Sequence, residues 1–178
     1  MKNQIVVGHI ALIQRSKKQW FTIELLKKLR AEGYDAVGVF AGECREPEYM
    51  TELNQKVEQY DLREHVVFLG RRNDIPDLLK MIDILIIPSA FEGFPLAGLA
   101  AAAGVPVIAC DAAGAEEFIR VSRDGVTFAE DDVDSAADAV GKILEGKEQY
   151  KKAGIEFASQ MSNREYSTKI EQIFKSIE

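Results

Sequence analysis

The stretch Pro88-Ser89-Ala90-Phe91-Glu92-Gly93-Phe94-Pro95-Leu96, with the small-residue run Ala97–Gly104 behind it, decides the fold. Before it, the apolar run Ile82–Ile87, interrupted only by Asp83, reads as a buried strand that stops at Pro88. After it, Pro95 opens a helix whose alanines let it lie close against a sheet. A strand–loop–helix joint of this kind presents backbone N–H groups to a ligand at the edge of an open α/β sheet. The joint predicts a ligand site, suited to an anionic or polyhydroxyl molecule.

Outward from that joint, apolar stretches alternate with helical ones. Ile5–Gly8, Ala36–Ala41, Val66–Leu69, Ile82–Ile87, Val105–Ala109 and Val126–Phe128 read as strands. Trp20–Leu29, Pro47–Tyr60, Ile75–Met81, Leu96–Ala103 and Ala115–Val121 read as the helices between them. Strands that are apolar throughout, separated by helices, predict a Rossmann-like, doubly wound parallel α/β sheet of about six strands. Asp134–Leu144, Gln149–Gln160 and Asn163–Ile177 follow as C-terminal helices. No linker or internal repeat divides residues 1–178, which predicts one domain.

Composition narrows the class. The chain has 178 residues, 47% hydrophobic and 29% charged, with a net charge of −7. It carries no basic stripe interleaved with aromatics, so nucleic acid is not the expected partner. The apolar runs are too short to span a bilayer, and the N-terminus enters a strand without a signal pattern. Cys44 and Cys110 lack metal-ligand spacing. A reducing cytoplasmic setting with two free thiols is expected, with Cys110 a small residue closing a strand.

Ligands of a parallel sheet gather at the carboxyl ends of its strands. The loops expected there begin at Gly8, at Gly70-Arg71-Arg72-Asn73, at Ser89–Pro95 and at Asp111–Glu117. They carry glycines, cations and carboxylates without a metal cluster, which favours recognition of phosphate by amides and basic side chains.

At these residues a family resemblance emerges. Phe68-Leu69-Gly70, Pro88–Leu96, Gly104-Val105-Pro106-Val107-Ile108-Ala109 and Ala113-Gly114-Ala115-Glu116-Glu117 stand in order and at the right spacing. Gly70–Arg120 thereby resembles the donor-binding, C-terminal domain of GT-B glycosyltransferases. The likeness is strongest to the retaining group 1 (family 4) enzymes, which include sucrose and glycogen synthases and bacterial polysaccharide mannosyl- and glucosyltransferases. The resemblance implies a nucleotide-diphosphate sugar (UDP-, GDP- or ADP-linked) as substrate, with no metal or other cofactor. It implies that Glu92 meets the donor sugar, with Gly93, Phe94, Pro95 and Leu96 around sugar and phosphates. The Gly8 turn would approach the diphosphate, where a Cβ would obstruct. Lys17, or Lys18, would stabilise the departing diphosphate. Arg71 would lie near the base, and Gly114 and Glu117 in the paired-glycine turn.

The departures from the family pattern matter as much. A second glutamate usually stands eight residues after the first; here that position is Ala100. Such an offset spans on the order of 12 Å of helix. A missing carboxylate–ribose hydrogen bond, worth ~1.5–3 kcal/mol, would weaken donor binding roughly ten- to a hundredfold. Ala100→Glu is accordingly expected to tighten donor binding. His9 replaces the usual arginine, with Arg15 a candidate to supply that cation, and Ala113 replaces the first paired glycine.

Asp132-Val133-Asp134 reads as a helix cap rather than a metal motif. His65 reads as a surface residue, Trp20 as core and Glu130–Asp132 as a solvated loop. The resemblance covers only the second half of a GT-B enzyme, so an N-terminal domain or partner subunit is expected to complete it. Membrane contact is expected only through that other half. Three readings compete: the donor half of a glycosyltransferase, a catalytically inactive sugar-nucleotide-binding or scaffolding module, and a receiver-like signalling domain. The last lacks the acidic pocket it needs at Gly8 and Gly70.

Overall fold

The computed structural model describes residues 4–89, 95–111 and 115–160. Six strands, β1 (Ile5–Ile10), β2 (Ala36–Ala41), β3 (Val66–Phe68), β4 (Ile84–Ile87), β5 (Val107–Cys110) and β6 (Gly125–Phe128), form one sheet in the order β3-β2-β1-β4-β5-β6. Every pairing is parallel. The winding reverses between β1 and β4, which makes their carboxyl ends the switch point of the sheet.

Helices cover both faces. On one, α1 (Gln19–Ala31), α2 (Pro47–Gln59) and α6 (Val133–Glu145) bury Phe21, Leu25, Leu29, Leu53 and Val140 against the sheet. On the other, α3 (Ile75–Leu79), α4 (Pro95–Ala103), α5 (Ala115–Ser122) and α7 (Lys147–Gln160) enclose a second core built on Leu79, Leu85, Val107 and Phe118. β4 and β5 are buried along their whole length, as strands covered on both faces must be. The third C-terminal helix, Asn163–Ile177, lies outside the described residues.

Only β2 keeps its expected bounds, and two of the differences have a plain physical reason. β1 runs two residues past Gly8, which sits mid-strand opposite Val39 and Leu85. A Cβ at Gly8 would fall 2.3 Å from Ile82 Cδ1, so this glycine makes room for core packing and not for a turn. β4 begins at Ile84 because Asp83 is otherwise engaged. Its Oδ2 accepts the Val6 amide at 2.9 Å and its Oδ1 meets Lys147 Nζ at 2.5 Å, tying α7 to the amino edge of the sheet.

α4 and α7 approach closely through small residues. A Cβ on Gly154 would sit 3.1 Å from the Ala101 carbonyl oxygen and 3.1 Å from Asp124 Cβ. Asp124 is itself buried. Ser122 Oγ lies 2.9 Å from the Phe118 carbonyl and 2.5 Å from Asp124 Oδ1, while Oδ2 has no partner among the described residues. A hydroxyl with one proton satisfies both neighbours only when the carboxyl brings its own. Burial accordingly pushes the Asp124 carboxyl above the usual carboxylate range, against the opposing pull of Ser122. The folded chain therefore holds a proton that the unfolded chain releases, and stability falls as pH rises through the raised value. Asp124→Asn is expected to raise the melting temperature at pH 8 and to leave it little changed near pH 4, measured by scanning calorimetry.

Candidate functional site

β1 passes into the segment Ala11–Gln14, a 3₁₀ turn (Arg15–Lys17) and then α1. Lys18 joins turn to helix in the left-handed region, at φ 52°. Gln19, fully buried, donates from Nε2 to the Leu12 carbonyl at 2.8 Å and so fixes the loop to the start of α1. The Trp20 amide donates to the Tyr49 hydroxyl at 3.1 Å, fastening the same helix end to α2.

The cations of this loop are already assigned in part. Lys18 Nζ lies 2.7 Å from both Glu130 and Asp131, so these acids form a clasp with the loop after β1 and are not a merely solvated cluster. Arg15 pairs with Glu52 at 2.5 Å and lies over the Tyr49 ring, which turns it toward α2 and away from the role of a substitute cation. Lys17 is half-buried, and its charge acts on His9 beneath it.

His9, which stands where the family usually has an arginine, is a buried side chain. Only 3% exposed, it shares a 2.9 Å hydrogen bond between Nδ1 and Thr22 Oγ1 and lies against Phe40 at 5.7 Å. Burial, assisted by Lys17, pushes its pKa down to about 3, so the ring is neutral. It joins β1 to α1 as core.

Beside this loop, at the carboxyl ends of β1, β2 and β3, a cavity of about 360 Å³ opens. Ile10, Ala11, Leu12, Ala41 and Ile75 make its apolar wall, and Glu43, Arg45, Arg71 and Arg72 bring charge. Such a mixture, mostly apolar with a few polar groups, suits a planar heterocycle. Arg71 lines the cavity from the loop after β3. The loop after β2, Gly42 to Arg45, was not anticipated. Its signal was a glycine followed by alternating charges directly after a buried apolar strand.

That wall is stitched. The Ile13 amide donates to the Glu43 carbonyl at 2.9 Å and the Arg45 amide to the Ile13 carbonyl at 3.0 Å, an isolated parallel bridge between Ile13 and Cys44. The Gly42 amide donates to the Gly70 carbonyl at 2.8 Å. Three loops are thus held at fixed spacing around the cavity.

On the other side of the switch point, Ser89 is buried at the end of β4 and α4 begins at Pro95. Glu92, Gly93, Phe94 and Gly114 lie outside the described residues. Leu96 packs partly against the second core, and Glu117 is exposed in the first turn of α5. Ala100 is fully buried in the middle of α4. A glutamate there must displace core packing before it can reach a ligand. Asp132 caps α6 by accepting the Ser135 amide at 2.9 Å, as the sequence implies. Among the described residues there is no group of three or more metal-ligating side chains, and no helix is long and apolar enough to cross a membrane.

A six-stranded parallel sheet wound in this order, with a cation-lined crevice at its carboxyl edge, is the Rossmann-like half of the GT-B class. Residues 1–160 match the model of the family described as glycosyl transferases group 1, and the chain belongs to that family. It is 34% identical over 100 residues to the UDP-Gal:alpha-D-GlcNAc-diphosphoundecaprenol alpha-1,3-galactosyltransferase of Escherichia coli, covering 56% of this chain and 24% of that protein. It is 27% identical over 177 residues to the N-acetyl-alpha-D-glucosaminyl L-malate synthase of Bacillus anthracis, covering 99% and 45%. The crystal structure of Anabaena HepE in complex with UDP and glucose superposes with a TM-score of 0.83 at 26% identity, covering 98% of this chain and 48% of that one. The chain therefore spans less than half the length of each of these relatives.

Proposed function

We propose that this chain is the donor-binding half of a retaining glycosyltransferase that moves a sugar from a nucleotide-sugar to a glycan or polysaccharide acceptor. The observation that carries the reading is the cavity at the carboxyl edge, fronted by Arg71 and flanked by the loop bearing Lys17. Family membership and the UDP held by the HepE structure support it. The base and nucleoside enter the cavity, the diphosphate crosses toward Lys17 and the start of α4, and the sugar reaches Glu92. Lys17 stabilises negative charge on the departing diphosphate, so no metal ion is required. Retention follows from attack on the donor's front face, assisted by a diphosphate oxygen, which needs no nucleophile from the protein. The acceptor is held by the other half of the enzyme, on the same or a partner polypeptide, at the cytoplasmic side of a membrane.

A second reading, a nucleotide-sugar-binding module without transfer, is favoured by one observation. The position eight residues after Glu92 is a buried alanine and offers no carboxylate to a ribose. Thermal-shift titration with UDP, GDP, ADP and their sugar conjugates, with and without EDTA, tests the shared part. Stabilisation by one nucleotide series, unchanged by chelation, is expected. Stabilisation abolished by EDTA would overturn the metal-free mechanism, and silence toward all of them would overturn the binding reading. Assay of sugar transfer with the complementary half present then separates enzyme from module.

A further inference from the structure

Lys18 joins two loops at the carboxyl edge that the sheet itself keeps apart. It follows β1, whereas its partners Glu130 and Asp131 follow β6, and β4 and β5 lie between those strands. Three strand spacings put β1 and β6 roughly 14 Å apart. α1 and α6 pack against each other across that gap, and Phe21 stacks on Phe128 at 5.2 Å. At the loop end of the same helices the Lys18 ammonium sits 2.7 Å from Glu130 Oε1 and 2.7 Å from Asp131 Oδ1.

An exposed ion pair would contribute little. This one differs, because the Lys18 side chain is only 17% exposed and meets two carboxylates. Burial works against its charge, yet the hydrogen bonds to Asp131 and Glu130 outweigh that and raise its pKa. The acids stand on a turn that holds its own shape. The Asp132 amide donates to the Ala129 carbonyl at 3.1 Å, and the Ala129 amide to Ser135 Oγ at 3.1 Å.

On its own side Lys18 is a backbone junction. Its amide donates to the Arg15 carbonyl at 3.0 Å and its carbonyl accepts the Phe21 amide at 3.0 Å, so it closes the 3₁₀ turn and starts α1. It does so at φ 52°, which costs a residue other than glycine and persists only where the surroundings impose it. Lys17 comes immediately before it, with its amide on the Gln14 carbonyl at 2.9 Å. The turn that carries Lys17 is thus pinned through the side chain of its neighbour.

We propose that Lys18 is a positioning residue: anchored between Glu130 and Asp131, it fixes the turn from which Lys17 reaches the diphosphate. The loop after β6 then contributes to donor binding without touching the donor. The inference rests on the reading of Lys17 as the lysine that meets the diphosphate.

Calorimetric titration of the 178-residue chain with UDP and with uridine tests it. The variants are Lys18→Met, Lys18→Arg, and the double change Glu130→Gln with Asp131→Asn, at two half-exposed positions. Lys18→Met and the double change are each expected to weaken UDP about tenfold, the scale of one charge-assisted hydrogen bond, and to leave uridine unchanged. Lys18→Arg is expected to bind like the unaltered chain. In a Lys17→Met background the same changes should have no further effect. Direct electrostatics predicts the opposite sign for the double change, since removing negative charge near an anion tightens its binding. Tighter or unchanged UDP binding in that variant, or an equal loss for uridine, overturns the inference and leaves the nucleotide site standing. So does a further loss on Lys17→Met, which would put Lys18 on the phosphate itself. Failure of the unaltered chain to bind UDP overturns both readings.

Discussion

Replacing Gly42 by alanine is expected to cost about 3 kcal/mol or more of stability, the upper range of overpacking penalties. A Cβ there would lie 1.7 Å from the Ala11 carbonyl oxygen and 2.5 Å from its carbon. Both obstacles are backbone, and neither segment is free to yield. Ala11 donates its amide to the Ala41 carbonyl at 2.9 Å, and Gly42 donates its own to Gly70 at 2.8 Å. The methyl group must therefore prise β1 from β2 at the edge where the cavity opens. Urea unfolding should show a lower midpoint, and nucleotide binding should fall further than stability alone accounts for. Near-native stability in Gly42→Ala would contradict the close crossing of these two loops.

Ala100→Glu should be comparably damaging, and in a pH-dependent way. The position is fully buried within the second core. An ionised carboxylate placed there loses its hydration without gaining a partner, so the group takes up a proton instead and its pKa rises. A loss of about 4 kcal/mol at pH 8 is expected, at the upper end for single substitutions. The loss shrinks toward pH 4, where the unfolded chain is also largely protonated and the difference in bound protons narrows. Leu99→Glu is the control. One residue earlier on the same helix, Leu99 is 46% exposed, and the same side chain there should change stability by under about 1 kcal/mol. Equal tolerance of both variants would mean that α4 is rotated from the orientation described here.

The order of elements was legible in the sequence because buried parallel strands are written as unbroken apolar runs. Ala36–Ala41 is β2 to the residue, and Pro47 and Pro95 both open helices. The cap at Asp132 was equally plain, since a short acid before a helical pattern has few other uses. What misled was the face on which a residue lies. Gly8 and His9 carry the letters of a phosphate loop, yet the strand continues through them. The pleat then sends the His9 ring into the core beside Phe40. Ala100 has the right offset from Glu92, but it is buried, which an offset counted along a chain does not reveal. Arg15 and Lys18 looked available because their acidic partners, Glu52, Glu130 and Asp131, are remote in sequence. The loop after β2 acquires its importance only from the bridge between Ile13 and Cys44, and pairing between two irregular segments leaves no periodic trace.

The tight seat of Gly154 on Ala101 has a mechanical consequence. With no side chain interposed, α7 and α4 behave as two splints bound together, one leading toward residue 160 and the other starting where the candidate donor turn ends. A displacement of α7 is therefore passed to α4 with little slack.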